Sequence, residues 1–457
     1  MTTTLLVHPP RGGVQGTTRV PYSKPHMQRA ILFSLLANAP SIVVHPAWSS
    51  ETEGMLQAAQ GFGLGVVQRD DNRLVLSGVG KSLASQGAKQ PVPVDGSAFN
   101  FRTIAALACL HPGETVIEAN ASMVNRPVLE HLRFVRDLGG RLDDLSDATH
   151  LRVRVTGSRH LGGETTVDTR HSSQVLTSVL LVSPLAEREV RIRCDAAQTV
   201  GAGYVDLTVE MMREHGTDIR YDDGAYTVGP GAYQSRIYHM ASDFTALSYP
   251  ACSVLTAGKG PVTLADYYPS ALGPEAEFLT VLRRLGIATH HDPVERTLRI
   301  ERTGPEGAHV EIDGRDIPTV VPTLAAVAPF VDAEVTLRNA AHVNNHKSRR
   351  VEVMIDELRR MGCAISPTYD RAGRIDGFRT SGRQAPRGGV VLSGHGDHRI
   401  FMSLATAALG ARRATLVEGA EYLHASYPGY LQSLEDLGVR WEWDDPGLDS
   451  RSSRAGV

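Results

Sequence analysis

The 457-residue chain carries a net charge of -3 and 42% apolar residues, which is too long for one compact core and apolar enough to fill two. Its near-neutral charge, with no basic run interleaved by aromatics, excludes the electrostatic footprint of a nucleic-acid binder. The start "MTTTLLVHPPRGG" lacks the layout of a secretory leader, and no apolar run approaches the roughly 18 residues of a membrane span, so a cytoplasmic monomer without nucleic-acid or membrane partners is expected.

In chain order, "SKPHMQRAILFSLLANA" reads as an apolar helix opening on Lys24 and carrying Arg29, and "AFNFRTIAALACL" as another carrying Arg102. "NRPVLEHL" opens on Arg126. "DTRHSSQVLTSVLLV" offers Ser172 or Ser173 as an ordinary N-cap, with Gln174 just inside. Further on, "EIDGRDIPTVVPTLAAVAPF" predicts a helix opening on Thr319, "HKSRRVEVMIDEL" one near Arg350, and "GDHRIFMSLATAALGA" one near Arg399. The tail, residues 446–457, is polar and aperiodic and is expected to be disordered. Cys109, Cys194, Cys252 and Cys363 lie far apart in or beside apolar segments, as buried free thiols do.

One pattern recurs six times: an amphipathic helix, an apolar residue plus Gly, then a β-type stretch. The glycines are Gly63, Gly139, Gly216, Gly286, Gly362 and Gly438, with separations of 76, 77, 70, 76 and 76 residues. Left-handed C-caps are expected there. Units of that length are too long for a solenoid and divide into three plus three. The shortened spacing puts a crossover near "YQSRIYHMASDF", giving one domain at 23–238 and a second from 1–22 plus 239–445.

Cations at helix starts oppose the macrodipole. One such Arg is usually a snorkelling surface side chain. Five coincident cases point to bound anions, held by N–H groups and guanidinium forks together.

With these segments quoted, the chain resembles the enolpyruvyl transferase family, in its branch acting on shikimate 3-phosphate. The family's Gly-Ser-Lys, Arg-Pro, Ser-Ser-Gln and Asp-His-Arg segments resemble "YSKPHMQRA", "NRPVLEHL", "SSQVLTSVLLVSPLA" and "GDHRIFMSL". The resemblance implies a two-domain α/β fold of six βαβαββ units, three per domain, with the active site in the interdomain cleft. It implies carboxyvinyl transfer from phosphoenolpyruvate to a shikimate-type hydroxyl, without metal or organic cofactor. The sister branch acting on UDP-N-acetylglucosamine lacks a counterpart here for its loop cysteine.

Residue by residue, the resemblance implies that Lys24, Arg126 and Gln174 meet the phosphoenolpyruvate phosphate. Arg102 joins this anion-binding set by its place on a helix. Arg350 and Arg399 match the groups holding the carboxylate. Arg29, Ser172, Ser173, Gln174 and Tyr204 match groups holding the acceptor phosphate.

Departures are equally specific. The family's proton-transfer Asp after Ile-Pro falls on Thr319, its second proton-transfer carboxylate on Lys347, an acceptor-binding lysine on His346, a further lysine on Ala425, and the serine after the first lysine on Pro25. The Gly-Asn-Ala-Gly-Thr phosphate loop becomes "DGSAFNF". A threonine does not titrate near neutral pH. Proton delivery to and from the methylene carbon then passes to Lys24, Lys347 or His398, with Thr319 and His346 left as acceptor contacts. His342, His346, His395 and His398 carry no metal-ligand signature.

Three readings follow: a diverged transferase with remodelled proton transfer, in keeping with secondary metabolism; a lyase eliminating phosphate or water from shikimate 3-phosphate or an analogue, without phosphoenolpyruvate; and a non-catalytic ligand-binding paralogue.

Overall fold

Alternation decides the strands and continuous burial decides the central helices. The stretches "ETVIEA" and "LRVRVT" form Glu114–Ala119 and Leu151–Thr156, in which buried residues alternate with more exposed ones, as a sheet with one covered face requires. Ala98–Ala108, Phe244–Ala257 and His398–Ala408 have no stripe left open to solvent. Helices buried on every side, polar residues included, lie in a core. The structure, a computed structural model, describes residues 3–83, 91–94, 96–124, 126, 128–270 and 273–444, excepting the side chains of 275 and 276.

The described residues form six four-stranded sheets of one design. A parallel pair comes first, and the third and fourth strands join it antiparallel. In one copy His309–Asp313 runs parallel to Glu334–Arg338, which pairs antiparallel with Ile375–Thr380, and that strand with Ile365–Tyr369. In another, Thr4–Val7 takes the third place, between Thr415–Glu418 and Trp441–Trp443, with Thr4 opposite Glu418 and Leu5 opposite Trp443.

The chain divides into two compact units, Tyr22–Ala241 and Met1–Pro21 with Ser242–Val457. Each contains three of the sheets. In the first, Ala98–Ala108 packs on Gln174–Val182, which packs on Ala202–Glu214. In the second, Phe244–Ala257, Val321–Val327 and His398–Ala408 pack on one another. The expected tail 446–457 lies outside the described residues, as do 1, 2, 95, 125 and 127 of the segments quoted above.

All six unit-ending glycines are left-handed, with φ of 99°, 103°, 84°, 91°, 101° and 81° in chain order. A side chain would be strained at each, which explains the residue choice. At Gly362 the turn closes with its N–H on Arg359 O and that of Cys363 on Leu358 O, both 2.9 Å. The four cysteines are buried and free. Among the described residues no helix is long and apolar enough to cross a membrane.

Three local expectations need correction. The helix expected to open on Thr319 spans Val321–Val327 with Val320 at its N-cap, and Thr319 lies in the preceding turn. Pro322 in the first helical turn fixes that start, because proline is accommodated there and not further in. Arg126 does not open an α-helix. It is followed by a 3₁₀ turn, Glu130–Arg133, and a single helical turn, Phe134–Asp137. Ser173 occupies the N-cap of Gln174–Val182 without capping it, because its hydroxyl donates to Gly201 O at 3.3 Å. Ser172 Oγ accepts from Gln174 N at 3.3 Å instead.

Candidate functional site

In the unit Tyr22–Ala241, Lys24 is the first residue of its helix. Its Nζ lies 2.8 Å from Glu51 Oε2, with side chains 11% and 17% exposed. Glu51 stands in the first turn of the helix Ser50–Gly61, where a carboxylate suits the dipole. Its main-chain oxygen accepts from Asn100 Nδ2 at 2.9 Å.

Arg29, one turn further on, is buried. Its Nε donates to Thr208 Oγ1 at 2.9 Å, Nη1 to Pro25 O at 3.0 Å and Nη2 to Tyr204 O at 3.0 Å, and the guanidinium lies over the Phe99 ring. Burial pushes its pKa down to about 10. Arg29 and Tyr204 are therefore brought together, through the tyrosine's main chain.

Arg102 is 5% exposed. Its Nη1 donates to Gln174 Oε1 at 2.6 Å and its Nη2 to His131 Nδ1 at 2.8 Å, while its Nε is buried without a partner among the described residues. Burial, then the neighbouring Arg126, pushes Arg102 down to about 9. Among the described residues neither Arg29 nor Arg102 has a carboxylate within 4.0 Å. Buried guanidinium without an acidic partner is costly. Arg126 donates to Gly96 O at 3.3 Å.

In the other unit, Arg350 opens the helix Arg350–Met361 and Asp397 caps His398–Ala408. Arg350 Nε and Nη2 reach Asp397 Oδ2 and Oδ1 at 2.7 and 3.2 Å, with side chains 5% and 0% exposed. Ser348 Oγ adds a third bond, at 3.3 Å. Burial alone would push the Asp397 carboxyl up, but the charges of Arg350 and His398, the Arg350 hydrogen bonds and the backbone N–H of Arg399 hold it well below the usual carboxylate range. Of the described ion pairs, only Lys24–Glu51 and Arg350–Asp397 have both side chains less than a fifth exposed. Each contains an expected anion-binding cation.

Arg399, the second residue of its helix, donates from Nη1 to Thr319 O at 2.9 Å, and Thr245 Oγ1 donates to Thr319 Oγ1 at 3.1 Å. The main-chain N–H of Arg399 also donates to Asp397 Oδ1 at 3.0 Å, so Thr319, Arg350 and Arg399 form one network through Asp397. His346 and Lys347 are half-buried in the loop leading to Ser348, and His398 is buried at the first position of its helix.

Glu51, His131, Asp397 and Thr245 were not singled out from the sequence. An acidic first turn at Glu51 and the Asp before His398 were the available signals; His131 in "LEHLRF" offered none. Within each unit taken by itself, the buried cations are chemically suited to small anions.

A family model described as EPSP synthase (3-phosphoshikimate 1-carboxyvinyltransferase) matches residues 9–434. The 3-phosphoshikimate 1-carboxyvinyltransferase of Methanothrix thermoacetophila is 29% identical over 436 residues, covering 95% of this chain and 99% of its own. That of Halorubrum lacusprofundi is 28% identical over 459 residues, covering 95% and 98%. Among solved structures, EPSP synthase from Acinetobacter baumannii aligns with a TM-score of 0.78 at 19% identity, covering 97% of this chain and all of its own. The enolpyruvyl transferase NikO from Streptomyces tendae aligns at 0.73 and 16% identity, covering 97% and 99%. These two likenesses carry the fold alone.

Proposed function

This chain belongs to the EPSP synthase family, and from that premise we propose that it transfers the carboxyvinyl group of phosphoenolpyruvate to a hydroxyl of shikimate 3-phosphate or a related cyclic acceptor, by a remodelled proton-transfer route. The acceptor hydroxyl gives its proton to a base as its oxygen bonds to C2 of phosphoenolpyruvate, and the methylene carbon gains a proton from an acid. That carbon then loses a proton as the bond from C2 to the phosphate oxygen breaks.

The observation that carries this reading is the network of Arg350 and Arg399 around Asp397, reaching Thr319 through Arg399 Nη1 at 2.9 Å. Both arginines are over nine-tenths buried, and a guanidinium fork on a helix N-terminus suits a carboxylate. We assign Arg350 and Arg399 to that carboxylate and Lys24, Arg102, Arg126 and Gln174 to the phosphate. Arg29, Ser172, Ser173, Tyr204 and His346 go to the acceptor. Thr319 occupies the family's carboxylate position with a side chain that only exchanges hydrogen bonds, so Lys24, Lys347 and His398 take the protons.

Phosphorus NMR of the full chain with phosphoenolpyruvate alone, with shikimate 3-phosphate alone and with both tests the proposal. Phosphate released only when both are present, with an enol ether formed, is the expected result. Release from shikimate 3-phosphate alone would identify an elimination and overturn the transferase. Binding without turnover of either compound would overturn it as well.

A further inference from the structure

Arg102 holds five N–H donors in a plane and no acceptor. One from Nη1 goes to Gln174 Oε1 and one from Nη2 to His131 Nδ1. The fork is therefore held through Nη1 and Nη2, with the N–H of Nε buried and unpaired among the described residues.

The clamp dictates the state of His131. Arg102 only donates, so Nδ1 of His131 must accept, and the ring is the neutral Nε2–H tautomer. Burial, then the charges of Arg102 and His171, push the imidazole down to about 4, against the opposing pull of Asp168. Neutrality at ordinary pH is what the 2.8 Å contact needs. Gln174 is the first residue of its helix and Arg102 the fifth of Ala98–Ala108, so His131 on the Glu130–Arg133 turn supplies the third element that fixes the guanidinium plane.

We propose that His131 is a positioning residue for anion binding: by accepting from Arg102 Nη2, it fixes the plane in which the unpaired Nε–H of that guanidinium meets a phosphomonoester oxyanion. The inference deepens the functional reading above, resting on it only for the identity of the phosphomonoester as phosphoenolpyruvate.

Calorimetric titration of the full chain with phosphoenolpyruvate, and separately with inorganic phosphate, tests the role in wild type, His131→Asn and His131→Leu. Asn keeps a short acceptor; Leu keeps bulk without one. His131→Leu is expected to weaken phosphoenolpyruvate binding roughly tenfold or more, the scale of a charge-assisted hydrogen bond, and His131→Asn to recover most of that loss. In turnover the Leu defect is expected to fall on KM for phosphoenolpyruvate, with kcat changed less. Equal affinities in all three proteins, or equally weak binding by Asn and Leu, would overturn the proposal.

Nitrogen-15 NMR of histidine-labelled wild type decides the matter even where a variant folds poorly, the His131 signal being the one absent from His131→Asn. An unprotonated Nδ1 supports the clamp, and an Nδ1–H tautomer overturns it. Binding that follows the predicted order without carboxyvinyl transfer would leave the positioning role standing and refute the functional reading alone.

Discussion

Arg399 Nη1 donates to the main-chain oxygen of Thr319 at 2.9 Å, so the turn after Ile317-Pro318 is tied to the start of the helix His398–Ala408 through its backbone. The threonine side chain faces another hydroxyl, that of Thr245, at 3.1 Å. A carboxylate placed at position 319 would enter a site shaped around hydroxyls. Thr319→Asp is therefore expected to change the rate of phosphate release from phosphoenolpyruvate and acceptor by less than about tenfold. A rise of a hundredfold or more, the scale of one well-placed general base, would show that this one position limits the reaction.

Asp397 joins the capping of one helix to the neutralisation of Arg350 on another. Removing it strands a buried guanidinium. Asp397→Ala is expected to lower unfolding free energy by about 3–5 kcal/mol, the cost of breaking a buried ion pair from one side. Adding Arg350→Met should return part of that loss. Urea unfolding of both variants checks this, and a single variant within about 1 kcal/mol of wild type would contradict it.

The Arg29 guanidinium serves Thr208, Pro25 and Tyr204 with three differently directed bonds. A lysine ammonium on a flexible stem does not reproduce that planar fork. Arg29→Lys is expected to cost about 2 kcal/mol or more of stability, read as a lowered urea midpoint at unchanged slope. No shift in the midpoint would mean the three bonds are dispensable.

His215 is fully buried, stacked on Phe33, with Nδ1–H donating to Gln234 O and Nε2 accepting from Tyr238 OH at 2.8 Å. Burial holds its pKa at about 4, against a normal 6.5. A histidine depressed in the folded state contributes stability above its unfolded pKa and loses it as pH falls from about 6.5 through about 4. At pH 5 the loss from this residue is about 2 kcal/mol. Urea unfolding at pH 7 and pH 5 should show it, and the difference should shrink in His215→Gln. An equal difference in the variant would assign the acid sensitivity elsewhere.

What was legible in the sequence was local. Gly362 could be read as a helix end because only glycine takes φ of 101° without strain. The start of the helix after Thr319 was equally local and was misplaced, because Thr at a cap outweighed the better signal of Pro322 one turn on. Partner choice was not legible. Lys24 and Glu51 are 27 positions apart, Arg350 and Asp397 47, and Arg102 and Gln174 72. No local pattern of charge encodes such pairs; the packing of separate helices creates them, within one repeat unit for Lys24 and Glu51 and between two units for the other pairs. The sequence therefore identified the cations of the candidate site and left unread the groups that aim them.

The strand Thr4–Val7 lies between Thr415–Glu418 and Trp441–Trp443, with Thr4 opposite Glu418. A ribosome makes this strand long before either neighbour, so its edges wait unpaired until residues 415–418 and 441–443 have followed. Residues 22–241 carry no such debt to later chain and can close their sheets earlier. The large loop-closure entropy of joining residue 4 to residue 418 falls on the other unit, which places the slow step of folding in the half that holds Arg350 and Arg399.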